Sequence, residues 1–386
     1  MLQLRVESWW GLCLSRTGSA KTLYVNVDCI ARYTKRIGHE PDKLISDLKD
    51  ENGLVAYEKI PKHVKALEEY VAELQDVGLA PSRIANYAKA IRSLYRVNGI
   101  EVRLPYALSR RSVSKDRAPK LDELARLLDV ADLREKVMLS LLASGGFREG
   151  TLVRLQYRHV REDLERGIAP IHIHVEAEIT KGEYGDFDTF LGSEAIEYLN
   201  LYLEKRRQGS PDGKIPPEEL HDHSPLIRDA QSATPRPVGE KQVYKLVHGV
   251  YHKAGVLKRN ENGGYDLRVH SLRKFFKTQL MALGVQTDYV DYMMGHTIST
   301  YHDIQSKGIE FLRNVYSNAG FSIRPKAQTS KIDMVKEFVR GLGLNPEDVL
   351  TRNALAEPHR IYATNQERED DQIRALSRAF MDNLKK

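Results

Sequence analysis

The segment His270-Ser-Leu-Arg273 and the apolar residues after it constrain this chain more than any other part of the sequence. Apolar side chains recur there at helical spacing, at Leu272, Phe275, Phe276, Leu280 and Leu283. Gly284 supplies a stop, so the pattern predicts a helix over residues 271–283. Residues three apart share one face of a helix. His270 and Arg273 should therefore point into one site from the first turn.

A second short segment adds to this site. Thr287 is a suitable N-cap for a helix over residues 288–294, which Gly295 would end, leaving His296 just past its C-terminus. Tyr301 follows a few residues later. Two imidazoles, a guanidinium and a phenol together indicate an anion site with a phenol beside it. The chain is basic, with a net charge of +6, and it offers no companion carboxylates for a metal, so a DNA phosphate is the anion we expect.

Two further features lie upstream in the order that such a site requires. Arg148 follows the glycine turn of Ser144-Gly-Gly. Residues 171–177 alternate as a half-buried strand does, and residues 186–191 can pair back as its hairpin partner. Lys181 falls at the tip of this hairpin, and it is the only lysine between Arg148 and Lys205. Its ammonium could reach a ligand from there.

The order Arg148, Lys181, His270-x-x-Arg273, Gly295-His296 and Tyr301 resembles the tyrosine recombinases, or phage integrases, and in particular their archaeal branch. The resemblance covers residues 15–320. It implies a mainly α fold with a small antiparallel β-sheet. A helical core-binding domain would be joined by a linker to a tyrosine-recombinase catalytic domain with three strands, and the two would clamp DNA from opposite sides.

The resemblance also implies a role for each motif residue: Arg148 and Arg273 grip the scissile phosphate, Lys181 is the general acid, His270 acts in acid–base work, His296 holds the phosphate or orients the nucleophile, and Tyr301 attacks. These residue types suit the chemistry. Preorganised cations stabilise the charge that develops on a phosphodiester under attack, and a proton donor is needed for the leaving oxygen. A tyrosine nucleophile keeps the bond energy as a phosphotyrosyl link. We therefore expect no cofactor, metal or ATP.

Two departures from the family pattern affect this assignment. The usual spacing from the second histidine would place the nucleophile at Gln305, which cannot attack, whereas Tyr301 comes early. Tyr316 is the competing tyrosine, but its spacing from Leu312 and Ile309 indicates an apolar stripe. The second departure is Thr151, at a position where the family commonly has an acid. An acid supporting Arg148 is thus unassigned.

Basic residues cluster ahead of the predicted catalytic domain. A helix beginning near Ser82 would carry cations on one face, and residues 103–120 are rich in arginine, lysine and proline, as a basic linker would be. We expect phosphate contacts from Lys89, Arg92, Arg96, Arg110, Arg111 and Lys115. The alternative is an ordinary solvated helix.

These patterns divide the chain into four parts. Residues 1–104 form a helical core-binding domain, with helices over 22–36, 41–49 and 61–77, and residues 105–119 form the basic linker. Residues 120–325 form the catalytic domain, and residues 326–386 form a helical extension. The extension would either mediate oligomerisation or pack within its own chain.

Composition agrees with a DNA enzyme inside the cell. No apolar run approaches a membrane span, and the first residues lack the pattern of a signal peptide. Cys13 and Cys29 are the only cysteines, which suits a reducing compartment. His172 and His174 share a strand face, but no third metal ligand is near them in sequence. We expect a cytoplasmic, nucleoid-associated protein that binds double-stranded DNA as a homotetramer and uses no small-molecule substrate.

Three functions remain open from the sequence. The first is site-specific recombination through a 3′-phosphotyrosyl intermediate. The second is DNA binding by the same fold without cleavage, and the third is relaxation of supercoils by a type IB topoisomerase-like reaction.

Overall fold

The computed structural model describes residues 20–111, 116–180, 185–210, 213, 215–232, 234–260, 263–299 and 303–325. Three predicted site residues, Lys115, Lys181 and Tyr301, lie outside the described residues, as does the extension over residues 326–386.

Among the described residues, the N-terminal part contains four α-helices: α1 (Ala20–Ile37), α2 (Pro41–Ser46), α3 (Ile60–Asp76) and α4 (Pro81–Val97). Proline stands in the first turn of α2, α3 and α4, where its missing N–H costs no hydrogen bond. Their apolar faces meet in one core, in which the rings of Tyr33 and Tyr70 lie 5.2 Å apart and Tyr87 extends the group. The helices predicted over residues 22–36 and 61–77 are confirmed, and the one predicted over 41–49 is found but ends at Ser46.

The second part contains nine helices and two strands among the described residues: α5 (Leu121–Val130), α6 (Leu133–Ser144), α7 (Glu149–Leu152), α8 (Arg158–Glu165), β1 (Ile171–Val175), β2 (Phe187–Leu191), α9 (Ser193–Gln208), α10 (Glu240–Lys253), α11 (Val269–Ala282), α12 (Thr287–Met293) and α13 (Ile309–Asn318). Helix α6 is the central element, because its residues from Val137 to Ser144 are all buried. Helices α9, α10 and α11 pack around it. The fold is thus mainly helical, as expected.

The small sheet is the antiparallel hairpin that the alternation predicts. Ile171 pairs with Leu191, and Val175 pairs with Phe187. The described residues contain two strands, so the third strand that the resemblance implies is not found among them.

One hydrophobic core cluster precedes the basic linker in sequence, and two clusters of the catalytic part follow it. The N-terminal core ends at its periphery with Leu104 and Leu108, and the catalytic core begins at its periphery with Ala118. The linker boundaries at residues 105 and 119 stay predictions, although this division supports them. No described helix is long and apolar enough to cross a membrane.

Candidate active site

The turn between α6 and α7 positions Arg148. Three consecutive carbonyls of this turn each accept a hydrogen bond from a different distant side chain: Tyr316 Oη donates to Ser144, Thr189 Oγ1 to Gly145, and Arg273 Nη1 to Gly146. Gly146 has φ +63°, and a Cβ there would lie 2.6 Å from a ring carbon of Phe276. Only glycine fits this conformation without displacing the ring.

Arg273 lies at the centre of the site and is 1% exposed. It projects from the first turn of α11, which Ser271 stabilises by accepting the backbone N–H of Arg268 through Oγ at 3.0 Å. Nη2 of Arg273 donates to the carbonyl of Met294 and lies 3.1 Å from Nε2 of His296. Its Nε is buried and has no hydrogen-bond partner among the described residues. A buried donor without an acceptor is costly unless a ligand supplies one.

His296 follows α12 and completes the far side of the site. Its Nδ1 lies 2.8 Å from Oδ1 of Asp291, and Lys277 Nζ contacts the same oxygen at 2.5 Å. Gly295, with φ +61°, allows the sharp turn, and a Cβ at that position would lie 2.5 Å from the Phe187 ring. The predicted short helix and its glycine stop are confirmed, since α12 ends at Met293.

His270 lies on α11 one turn before Lys274, at the exposed edge of the site. Partial burial and the charge of Arg273 lower the pKa of His270, whereas Asp116 acts in the opposite direction. Asp116, at the end of the basic linker, is itself held by Lys274 Nζ at 2.8 Å. The linker thus reaches the edge of the site.

The site carries more positive charge than its carboxylates offset. Burial and the neighbouring charge of Arg148 lower the pKa of Arg273 to about 9. Burial also lowers the pKa of Arg148. The charge of Arg148 also acts to lower the pKa of His270 and the pKa of His296. Each of these positive charges disfavours the protonated form of its neighbours, so a bound anion would stabilise the whole group.

No carboxylate among the described residues pairs with Arg148. Thr151 is buried at the place where the family commonly has an acid. Glu149 is adjacent, but burial and the charge of Glu240 raise its pKa, and it makes no hydrogen bond to Arg148. The supporting acid therefore stays unassigned.

A carboxylate that the sequence analysis missed joins the hairpin to α12. Asp188 on β2 accepts hydrogen bonds from His172 Nε2 at 2.7 Å, His174 Nδ1 at 2.9 Å and Tyr292 Oη at 2.6 Å. The two histidines thus share a carboxylate. Among the described residues there is no group of three or more side chains suited to a metal ion. The sequence could have indicated this contact, because His174 and Asp188 pair across the predicted hairpin.

The competing tyrosine, Tyr316, belongs to the core. It is 2% exposed, and its ring packs at a tilt against Phe190 and Phe321, with centroids 5.8 Å apart in each pair. Burial raises the pKa of Tyr316. Tyr316 and Leu312 are buried, as the predicted apolar stripe requires, whereas Ile309 of the same stripe is 42% exposed.

The cations expected to contact DNA are on the surface where they are described. Lys89, Arg92 and Arg96 are exposed along α4, as are Arg110 and Arg111 in the linker. Arg92 also donates through Nε to the carbonyl of Val102 at 3.1 Å. Their DNA contacts stay predictions.

The geometry and charge of this cationic site suit an anionic ligand. Residues 117–303 match the phage integrase family. Similar proteins include tyrosine recombinase XerD of Staphylococcus aureus, 27% identical over 251 residues, which are 61% of this chain and 75% of that protein. XerD of Halalkalibacterium halodurans is 26% identical over 268 residues, 64% of this chain and 79% of that protein. Over residues 117–303 the chain is thus similar to the tyrosine recombinases.

A solved structure agrees with the fold. The chain resembles a lambda integrase dimer bound to a COC′ core site, with a TM-score of 0.50, 15% identity, and coverage of 78% of this chain and 96% of that one.

Proposed function

We propose that this protein is a site-specific recombinase that cuts and rejoins double-stranded DNA through a 3′-phosphotyrosyl intermediate. The observation that carries the proposal is the convergence of Arg148, His270, Arg273 and His296 on one site, with an unpartnered buried Nε on Arg273. An oxyanion is the ligand that such a group of donors lacks.

In the proposed reaction Arg148 and Arg273 bind the non-bridging oxygens of the scissile phosphate. Tyr301 attacks phosphorus, the P–O5′ bond breaks, and Lys181 protonates the leaving 5′-oxygen. His270 accepts the hydroxyl proton of Tyr301 during the attack and returns it in the reverse step. His296 contacts the phosphate. Attack by a 5′-hydroxyl of a second DNA end reverses these steps and releases Tyr301, so that no external energy source is consumed.

The partner in this proposal is double-stranded DNA, held by a homotetramer. The exposed cations of α4 and of the linker support the first part, since they offer charge to the phosphate backbone outside the catalytic site. Such a substrate would place the protein in the cytoplasm with the nucleoid. The order of the motif residues also leads us to place the chain in the archaeal branch of the family.

Covalent trapping tests the nucleophile. The wild-type protein, incubated with a nicked suicide duplex carrying its site, should form a covalent adduct that maps to Tyr301 by mass spectrometry. Tyr301→Phe should form none while it still binds DNA, because the ring is kept and only the attacking oxygen is removed. Tyr316→Phe tests the competing tyrosine and should still form the adduct, although more slowly, because the Ser144 carbonyl loses its hydrogen-bond donor. An adduct on another tyrosine would refute the assignment.

The same assay separates the three functions. A recombinase gives an adduct that depends on the DNA site, a topoisomerase-like enzyme gives adducts without such dependence, and a binding protein gives none. Arg148→Ala and Arg273→Ala should each slow adduct formation by about 10²–10³-fold, the usual cost of removing one oxyanion donor. Near wild-type cleavage by either variant would mean that its arginine is structural.

A further inference from the structure

Asp291 on α12 contacts the active-site histidine and has no role in the reaction proposed above. Its Oδ1 lies 2.8 Å from Nδ1 of His296 and 2.5 Å from Nζ of Lys277. Its backbone carbonyl also accepts the backbone N–H of His296 at 2.9 Å. Both the ring and the main chain of His296 are therefore held by Asp291.

The two contacts of the imidazole determine which nitrogen carries the proton. Burial alone would raise the pKa of Asp291, but hydrogen bonds from Lys277 and His296 hold it below its usual value, so Asp291 is a carboxylate and only accepts. Nδ1 of His296 must then carry a hydrogen. On the other side, the guanidinium of Arg273 only donates, so Nε2 of His296 accepts. The ring is the neutral Nδ1–H tautomer.

A phosphate changes what is required of Nε2. To hold a phosphate oxygen, Nε2 must donate, and for that it needs a second proton. In the site without an anion this proton is disfavoured, because Nε2 faces Arg273 and because burial and the charges of Arg273 and Arg148 lower the pKa of His296. Lys277 and His270 of α11 belong to the same group of charged and titratable residues.

We propose that Asp291 is a positioning residue that fixes His296 as the Nδ1–H tautomer, and that the site takes up one proton on Nε2 of His296 when an oxyanion binds. The proton comes from solvent, and no covalent bond to the anion is made. The role of this anion as the scissile phosphate rests on the proposed function. The negative charge of the anion and the carboxylate of Asp291 would then hold the imidazolium from its two nitrogens.

Histidine side-chain NMR tests this inference with the full chain. Long-range ¹H–¹⁵N spectra of ¹⁵N-histidine-labelled protein are recorded against pH, with and without sulfate, and His296 is assigned by its loss in His296→Gln. We expect the Nδ1–H pattern without sulfate, and a titration midpoint that rises by about one pH unit or more with sulfate. An Nε2–H pattern, or a midpoint that sulfate leaves unchanged, would overturn the proposal.

Variants separate positioning from folding. Asp291→Asn should lose the uniform Nδ1–H pattern and most of the response to sulfate, whereas Asp288→Asn, an exposed acid on the same helix, should keep both. If Asp291→Asn disturbs many histidines together, Asp291→Glu decides, because it restores the carboxylate and should restore the wild-type pattern. An Asp291→Asn variant that keeps the wild-type tautomer and sulfate response would contradict the assigned role, as would an Asp291→Glu variant that does not restore them.

Cleavage distinguishes this inference from the proposed function. With a nicked duplex, Asp291→Asn should shift the pH profile of adduct formation, an effect that a purely structural role would not produce. A correct tautomer and sulfate response without any wild-type adduct would refute the recombinase reaction and leave the protonation intact. A wild-type adduct together with an Nε2–H tautomer would support the recombinase reaction and refute the proposed protonation of His296.

Discussion

Replacing Asp188 by asparagine should destabilise the catalytic domain without touching the phosphate site. The hydrogen bonds of His172, Tyr292 and His174 outweigh the opposing effect of burial and lower the pKa of Asp188 from 3.8 to about 2. One pKa unit corresponds to about 1.4 kcal/mol, so the charged form of Asp188 contributes about 2 kcal/mol to the free energy of unfolding. The side chain is 13% exposed, so solvent screens little of this contribution.

The sign of the pH dependence follows from the two pKa shifts. A lowered carboxyl pKa gives stability that is present above the unfolded value of about 4 and is lost as the pH falls toward 2. Hydrogen bonding to Asp188 outweighs burial and raises the pKa of His174. The stability that His174 contributes is therefore present at low pH and is lost as the pH rises through the pKa of His174 in the folded protein. The difference between wild type and Asp188→Asn should therefore be largest near about pH 5–6.

Urea unfolding followed by circular dichroism measures this difference, and hydrogen exchange of peptides covering residues 171–191 localises it. The matched control is Asp222→Asn, which removes an exposed ion pair with Arg161 and should cost at most about 1 kcal/mol. A difference for Asp188→Asn that is no larger than this control, or that grows as the pH falls below 4, would refute the reasoning.

Three further predictions concern the turn, the linker and metal. Gly295→Ala should lower the melting temperature and slow adduct formation, because its Cβ would lie 2.5 Å from the buried Phe187 ring at a positive φ; an unchanged melting temperature would contradict this. Replacing Arg110, Arg111 and Lys115 together by alanine should flatten the slope of log K against log salt by up to about three, at about 0.9 for each DNA phosphate that is no longer neutralised; an unchanged slope would mean that the linker does not lie on DNA. Adduct formation should proceed in excess EDTA, and loss of activity that magnesium restores would contradict the proposed chemistry.

Local patterns predicted the elements around the site well. The helix of His270 and Arg273, the short helix before His296 and the hairpin are all found within a few residues of their expected positions. These elements have strong periodicity and glycine stops, so tertiary contacts do not override them.

Contacts between distant segments could not be predicted in this way. The carboxylate of Asp188 meets Tyr292, and Lys274 meets Asp116, only after the chain has folded. Neither pair is close enough in sequence to share a helix face or a strand pair. Asp291 was near enough to His296 to be found, but a helix-to-turn contact has no fixed spacing that would have singled it out.

The three carbonyls of the turn before Arg148 have a consequence for synthesis on the ribosome. Their donors, Thr189, Arg273 and Tyr316, are made in that order, and the last comes from α13. A growing chain that has not yet released α13 lacks one of the hydrogen bonds that hold this turn. Arg148 is therefore secured only when nearly the whole catalytic domain has been made, and incomplete chains should have little capacity to nick the DNA around them.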